Sequence, residues 1–164
     1  MNQQTHLRQE QEHPGKYVDL HQLELLVCLE VLMATCYQAL SWSVHNQVIR
    51  KECQHFEQHA RYHQEELRKM FSLAQDSEVL IETKVNQYLL QWKPSSLTLR
   101  EVINLIINLN FFRTDIYKSL FHTMDNHQER LKCFLEDTAE EMHFLSQERI
   151  FHENRLEEYL KVKV

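Results

Sequence analysis

A single glycine, Gly15, occurs in this chain of 164 residues. Hairpin turns, phosphate-binding loops and dinucleotide fingerprints need residues that adopt positive φ at little cost, and glycine does so most readily. P-loop and Rossmann domains are therefore excluded, and a β-rich fold is disfavoured. The two prolines, Pro14 and Pro94, lie outside the strongly periodic segments, which leaves room for long helices. We predict an all-α chain.

Four long segments have apolar residues at helical spacing. They are residues 18–45, 47–73, 97–124 and 128–160. The links within the first pair and within the second pair are very short, which predicts two antiparallel helical hairpins. A longer connector with apolar residues of its own separates the pairs and predicts a crossover that contains a short helix. We therefore predict a four-helix bundle domain over residues 17–164, after a flexible polar N-terminal tail over residues 1–16.

Charge and cysteine usage restrict the partners and the compartment. The formal net charge is −6 and no run of Lys or Arg forms a basic patch, so no nucleic-acid partner is expected. The most apolar stretch, residues 25–42, is interrupted by Glu30, and we interpret it as a buried helix with no membrane partner. The amino terminus lacks the apolar core of a signal peptide, and no two cysteines form a Cys-x-x-Cys pair. These features predict a cytoplasmic protein.

The segment QHFEQHARYHQEEL, residues 54–67, places three histidines four residues apart. The apolar row of this second helix comprises Ile49, Cys53, Phe56, Ala60, His63, Leu67 and Met70. Residues four apart drift by about 40° around a helix, so His59 is expected at the edge of the row and His55 further towards solvent. The three histidines are therefore predicted to occupy three different environments.

The first helix is apolar on two sides. Its inner row comprises Leu23, Val27, Glu30, Ala34, Tyr37, Ser41 and Val44. Its outer row comprises Leu25, Leu29, Leu32, Cys36 and Ala39. A helix that is apolar on both faces usually has partners on both. We therefore predict a homodimer or larger homo-oligomer through the outer face of the first helix.

The other two helices carry polar residues within their predicted core rows. The third row comprises Leu99, Ile103, Ile106, Asn110, Arg113, Tyr117, Leu120 and Met124. The fourth row comprises Leu131, Leu135, Thr138, Met142, Leu145, Arg149, His152 and Leu156. A buried carboxylate without a partner is strongly unfavourable, so Glu30 needs one inside the protein. One interpretation pairs Glu30 with Arg113 or Arg149. A buried hydrogen-bond network would then be completed by Tyr37, Tyr117, Asn110 and His63.

The stretch EVLMATCY, residues 30–37, has a Glu-x6-Tyr pattern, and a shift of 80 residues lays Glu30 on Asn110 and Tyr37 on Tyr117. With its two predicted hairpins, the chain resembles the ferritin-like superfamily of di-iron carboxylate proteins. The resemblance implies a four-helix bundle in which Glu30 is an iron ligand. It further implies a Glu-x-x-His motif on the second helix, a glutamate on the third and a second Glu-x-x-His motif on the fourth.

The chain departs from that ligand pattern at several positions. The second helix has the reversed order, His63-x-x-Glu66, the third has Asn110, and the fourth offers Arg149-x-x-His152. Arginine cannot ligate a metal and would repel a nearby cation. Literal Glu-x-x-His tetrapeptides occur at residues 52–55 and 140–143, but helical geometry turns both away from the apolar rows. We interpret these tetrapeptides as surface residues.

Two functional hypotheses follow. The first is an altered carboxylate and histidine site inside the bundle that binds iron, manganese or zinc, with Glu30 and His63 as its best ligands. Its additional candidate ligands are Glu66, His59 and His152. With iron bound, the resemblance implies oxygen-dependent oxidation. The second is a metal-free ferritin-like bundle that acts as a dimeric structural or protein-interaction module.

Overall fold

Five α-helices make up the part of the chain that the computed structural model describes, which is residues 20–73, 75–147 and 150, with only the backbone of residue 75. They are α1 (Leu20–Ser43), α2 (Gln47–Phe71), α3 (Gln75–Trp92), α4 (Leu99–Thr123) and α5 (Gln128–Leu145). Two short 3₁₀ turns, Pro94–Ser96 and Asp125–His127, precede α4 and α5. These described residues contain no strand, and the all-α prediction is confirmed.

The helix boundaries follow the predicted segments closely. The described ends of α1, α2 and α4 fall within two residues of the predicted limits, and α5 begins at Gln128 as predicted. α5 ends at Leu145, before a turn at Ser146, so the fourth segment is not one unbroken helix as far as residue 160. The predicted tail (1–16), Arg149 and His152 lie outside the described residues. The connector forms α3, whose 18 residues exceed the short helix that the sequence predicted.

Side-chain caps stabilise the N-termini of α2 and α4. The Oδ1 atom of Asn46 accepts hydrogen bonds from the backbone N–H groups of Val48 at 2.8 Å and Ile49 at 3.3 Å. α4 begins with a capping box, in which Glu101 accepts the Thr98 backbone N–H at 2.8 Å and donates its own N–H to the Thr98 hydroxyl at 3.3 Å. Both caps satisfy backbone N–H groups that have no partner within the helix.

The scarcity of glycine is visible where helices end. Ser72 terminates α2 with a φ of 44°, and Lys93 follows α3 with a φ of 41°. At a helix C-terminus this left-handed conformation is usually adopted by glycine, because a Cβ atom makes it unfavourable by about 1–2 kcal/mol. Both residues therefore hold strained backbone conformations.

The helices other than α3 contact one another in a closed series. α1 packs on α2 and α4, and α5 packs on α4 and α2, so each of these four helices touches two of the others. The predicted inner rows of α1 and α2 are buried with the exception of Met70, which is half-buried. His55 is exposed, His59 is half-buried and His63 is completely buried, as the helical drift predicted.

The outer face of α1 is covered by the chain's own connector. α3 packs along α1, and the Cys28 thiol donates to the Ile81 carbonyl oxygen at 3.7 Å. Of the five outer-row residues, Leu25 is half-buried and the other four are buried. The expectation that this face is a self-association surface is therefore corrected, because α3 already provides its partner. Homo-oligomerisation itself remains a prediction, without this surface as its basis.

One described helix, α1, is long and apolar enough to cross a membrane by length and composition alone. In this structure 78% of its most apolar window is buried inside the chain. A core helix with partners on two sides has the same composition, so burial accounts for the apolar character of α1.

Candidate functional site

A connected set of polar side chains lies inside the protein at the level of Glu30. The Glu30 carboxylate is completely buried, and its Oε2 atom accepts a hydrogen bond from Arg113 Nη1 at 2.8 Å. Its Oε1 atom accepts the Tyr117 hydroxyl at 2.6 Å. His63 Nδ1 lies 3.4 Å from the same Oε1 atom, close enough for attraction but not aligned as a hydrogen bond. Glu30 therefore has partners on α2 and α4.

Arg113 is the centre of this set. Its completely buried guanidinium donates from Nη1 to Glu30, from Nη2 to Glu141 Oε2, and from Nε to Asn110 Oδ1 at 2.9 Å. A guanidinium presents its donors in a fixed planar fork and remains charged even when buried, so it can join two carboxylates at once. Arg113 thus links α1 to α5 through α4.

Two further hydrogen bonds extend the set to neighbouring backbone and side chains. The Tyr37 hydroxyl donates to Glu141 Oε2 at 3.1 Å, and the Asn110 amide donates to the Thr138 carbonyl oxygen at 3.1 Å. Hydrogen bonds of this kind are what make burial of polar groups tolerable. We call the seven side chains that meet around the guanidinium the arginine cluster: Glu30, Tyr37, His63, Asn110, Arg113, Tyr117 and Glu141.

Asp137 connects the arginine cluster to the surface. Its Oδ2 atom lies 2.8 Å from His63 Nε2, and its side chain is 28% exposed. Asp137 also lines an open groove of about 810 Å³, together with Tyr62 and Phe134 among other residues. His63 is thereby held between a buried carboxylate, Glu30, and a partly exposed one.

Burial and charge act in opposite directions on these groups. Burial tends to raise the pKa of Glu30, but Arg113 and His63 outweigh it and hold the pKa below its usual value. Burial tends to lower the pKa of His63, but the charge of Glu30 and the hydrogen bond with Asp137 raise it to about 9. His63 is therefore protonated at neutral pH. Two buried cations, Arg113 and His63, face the carboxylates around them.

The pKa values of Glu141 and Asp137, two carboxylates of α5, shift in opposite directions. Burial raises the pKa of Glu141, and the adjacent Arg113 only partly offsets that effect. The pKa of Asp137 is lowered, because the hydrogen bond and charge of His63 overcome its partial burial. Asp137 is thus the more firmly ionised of the pair, and its negative charge lies at the rim of the groove.

Of the four predicted metal ligands that the structure describes, two come together. Glu30 and His63 meet as predicted. Glu66 instead pairs with Arg130 at 2.7 Å and Lys69 at 3.1 Å near the surface. The Nδ1 atom of His59 lies 4.0 Å from Asp137 Oδ1, and His152 lies outside the described residues. The alternative interpretation agrees better with the structure, since Glu30 pairs with Arg113. This pair is surrounded by Tyr37, Tyr117, Asn110 and His63.

Sequence reasoning missed Glu141 and Asp137. The predicted core row of the fourth helix ran through Leu135 and Met142, which are half-buried, whereas the buried positions include Phe134 and Glu141. Both rows pass through Leu131, Thr138 and Leu145 at spacings of three and four. The apolar residues favoured the wrong row, although the aromatic ring of Phe134 was a signal for the correct one.

The arrangement does not fit the carboxylate and histidine metal centre that the resemblance implies. Arg113 places its positive charge between Glu30 and Glu141, where a cation bound to both carboxylates would lie. In the side-chain conformations described for residues 20–73, 75–147 and 150, no three His, Cys, Asp or Glu residues are positioned to hold a metal ion. The described interior is therefore an ion-paired cluster built around arginine.

No protein-family model matches the chain, and comparisons with curated proteins and with solved structures give no match. Function must therefore be inferred from the arginine cluster and from the surface.

Proposed function

We propose that this chain is a ferritin-like four-helix bundle with a metal-free interior, and that it serves as a structural or protein-interaction module. The observation that carries this proposal is the Arg113 guanidinium, buried between the carboxylates of Glu30 and Glu141. It neutralises the charges that a metal would otherwise neutralise in a carboxylate-lined helical interior.

The bundle assignment is supported by packing and by the composition of the cluster. α1, α2, α4 and α5 each contact at least two of the other three, and α3 joins the second of these helices to the third. The arginine cluster takes at least one residue from each of the four: Glu30 from α1, His63 from α2, Arg113 from α4 and Glu141 from α5. A buried polar network of this kind favours one register of the helices over others.

The surface is the part of the molecule that remains for function. The side chains of the arginine cluster bond to one another and to Asp137 and Thr138, and all of them are buried away from a substrate. Eight large apolar side chains of the described residues are, in contrast, more than half exposed, among them Trp42, Leu90, Phe111 and Phe112. Exposed aromatic residues are enriched at protein interfaces. We therefore place the interaction role, including the proposed homodimer, on the surface of the bundle.

The metal-free interior is tested by elemental analysis. Protein purified without chelator or affinity tag is reconstituted with iron, manganese and zinc in turn, alongside Glu30→Gln and the matched control Glu136→Gln, whose side chain is 65% exposed. We expect the same metal content in all three proteins. Metal that is present in the wild type and in Glu136→Gln but lost in Glu30→Gln would contradict the proposal, provided that circular dichroism shows both variants folded.

The association role is tested by sedimentation velocity across micromolar concentrations. We expect a dimer whose dissociation constant rises when Phe111 and Phe112 are both replaced by serine. The matched control is Val79→Ser, an apolar side chain on α3 that is 59% exposed. A wild-type protein that stays monomeric at these concentrations counts against the homodimer. An equal effect of the double replacement and of Val79→Ser counts against a specific contribution of Phe111 and Phe112.

A further inference from the structure

The ion pairs between α2 and α5 fix which residues of the two helices face each other. Glu66 pairs with Arg130, and His63 pairs with Asp137. Between these two pairs the residue number decreases along α2 and increases along α5, so the two helices run antiparallel where they meet. The same register sets His59, one turn beyond His63, near Glu140, and His55, two turns beyond His63, near His143.

Three observations place these groups together. The rings of His55 and His59 lie one helical turn apart with their centroids separated by 4.1 Å. His55 lines a groove of about 410 Å³ between α2 and α5, and Glu140 and His143 line its opposite wall. His59 lies beside this groove, with its Nδ1 atom 4.0 Å from Asp137 Oδ1 of α5.

We infer that this groove is a binding site for a divalent transition-metal ion such as Zn²⁺, with His55 and His59 of α2 and Glu140 of α5 as its ligands. Two histidines four residues apart on one helix form a recognised bidentate arrangement for zinc. Imidazole and carboxylate together suit zinc, copper and nickel. This site lies outside the arginine cluster and uses none of its residues.

The groove presents carboxylate side chains from both helices, Glu52 of α2 and Glu140 of α5. Lys51 also lines the groove and is the one Lys or Arg side chain among its described lining residues that would repel a bound cation. Asp137 lies near His59 on the inner side, where it can orient the ring.

Metal binding requires side-chain rotation, since no three ligand groups among the described residues converge in their present conformations. His55, Glu140 and His143 are exposed, so they change rotamer without moving the helix backbone. His143 faces the same groove and is available as a fourth ligand. Binding would then join α2 to α5 across their seam.

The test is a calorimetric titration of the metal-free, untagged chain with ZnCl₂, with Co²⁺ absorption as a readout of coordination. We expect one Zn²⁺ per chain, with affinity reduced roughly tenfold or more by each of His55→Ala, His59→Ala and Glu140→Gln. Two matched controls should bind as the wild type does. They are His122→Ala on α4 and Glu136→Gln on the exposed side of α5.

Two results would overturn the inference. One is the absence of saturable Zn²⁺ binding by the folded wild-type chain. The other is binding that depends on the histidine pair but is unchanged by Glu140→Gln, which would show chelation by one helix and no site at the seam. Zinc bound here survives Glu30→Gln, so this test and the test of a metal-free interior have separable outcomes. Circular dichroism of each variant confirms that helix content is retained.

Discussion

Arg113 and Glu30 form a salt bridge of 2.8 Å in which neither side chain is exposed to solvent. A lone charge at either position would be strongly unfavourable, so each residue makes the other tolerable. Because Arg113 also contacts Glu141, the pair is part of a connection between α1, α4 and α5.

Replacing Arg113 by methionine should lower the free energy of unfolding by about 3–5 kcal/mol, because two carboxylates then lose their buried counter-charge. Urea denaturation measures this change. The matched control is Arg130→Met, which removes an arginine whose side chain is 49% exposed and paired with Glu66, and should cost about 1 kcal/mol or less. Equal losses for the two variants would show that the buried position of Arg113 is not decisive.

His63 predicts a loss of stability at alkaline pH. Its folded-state pKa of about 9 lies above the value of about 6.5 expected in the unfolded chain. Its protonation therefore stabilises the folded state fully below about pH 6.5, and this contribution is lost as the pH rises through about 9. Denaturation at a series of pH values should show the decline, and His63→Gln should make the curve flatter in this range. A wild-type stability that is level from pH 6.5 to 10 would exclude this role.

Asp137 should be one of the two groups that hold the proton on His63. Replacing Asp137 by asparagine removes the negative charge that is hydrogen-bonded to Nε2 and leaves Glu30 as the remaining carboxylate beside the ring, so the pKa of His63 should fall below about 9. The ring proton shifts of His63 in an NMR titration report this value. Asp125→Asn, in the exposed 3₁₀ turn before α5, is the control and should leave the titration unchanged.

Ser72 offers a stabilising substitution. Its φ of 44° suits glycine, so Ser72→Gly should raise the free energy of unfolding by about 1 kcal/mol. The same replacement at Ser119, an exposed position within α4, should instead lower it by about 0.5 kcal/mol, because glycine is a poor helix former. Thermal unfolding of both variants measures the two changes, and changes of the same sign would contradict this reading of the α2 terminus.

The cysteines should differ sharply in reactivity. Cys133 is exposed, whereas burial raises the pKa of Cys28 to about 11 and that of Cys36 to about 12. Since the thiolate is the reactive form, a thiol reagent at pH 8 should modify Cys133 rapidly and the three buried thiols, Cys28, Cys36 and Cys53, only after denaturation. Cys133→Ser should abolish the rapid phase. Rapid modification that persists in this variant would show that a buried thiol becomes accessible in the folded protein.

The sequence predicted the core of α1 and α2 well because each row is continuous and its polar members are few. Glu30 stood out as a charge among apolar neighbours, and the need to neutralise it pointed to Arg113, which the structure places beside it. Helical spacing also correctly predicted the order of burial of the three histidines, from exposed His55 through half-buried His59 to buried His63. Helical periodicity is sufficient to predict the buried face of a helix where one row of residues is clearly more apolar than its neighbour.

The same reasoning failed where two rows were equally plausible or where a partner was distant in sequence. On α5, hydrophobicity favoured Met142 over Glu141, yet the buried arginine on α4 makes a carboxylate the better inward residue. On the outer face of α1, helical periodicity showed that a partner was needed, but it did not show that α3 would supply it. Both outcomes depend on tertiary contacts that a single helical pattern does not contain.

The packing of α3 on α1 has a consequence for the order of synthesis. α1 leaves the ribosome before any of the three helices that cover it, and α3 and α4 lie more than thirty residues behind its end. Until they emerge, the most apolar segment of the chain has only α2 to shield it. A nascent chain paused before residue 75 should therefore bind a holdase chaperone, and release should follow once the connector has been translated.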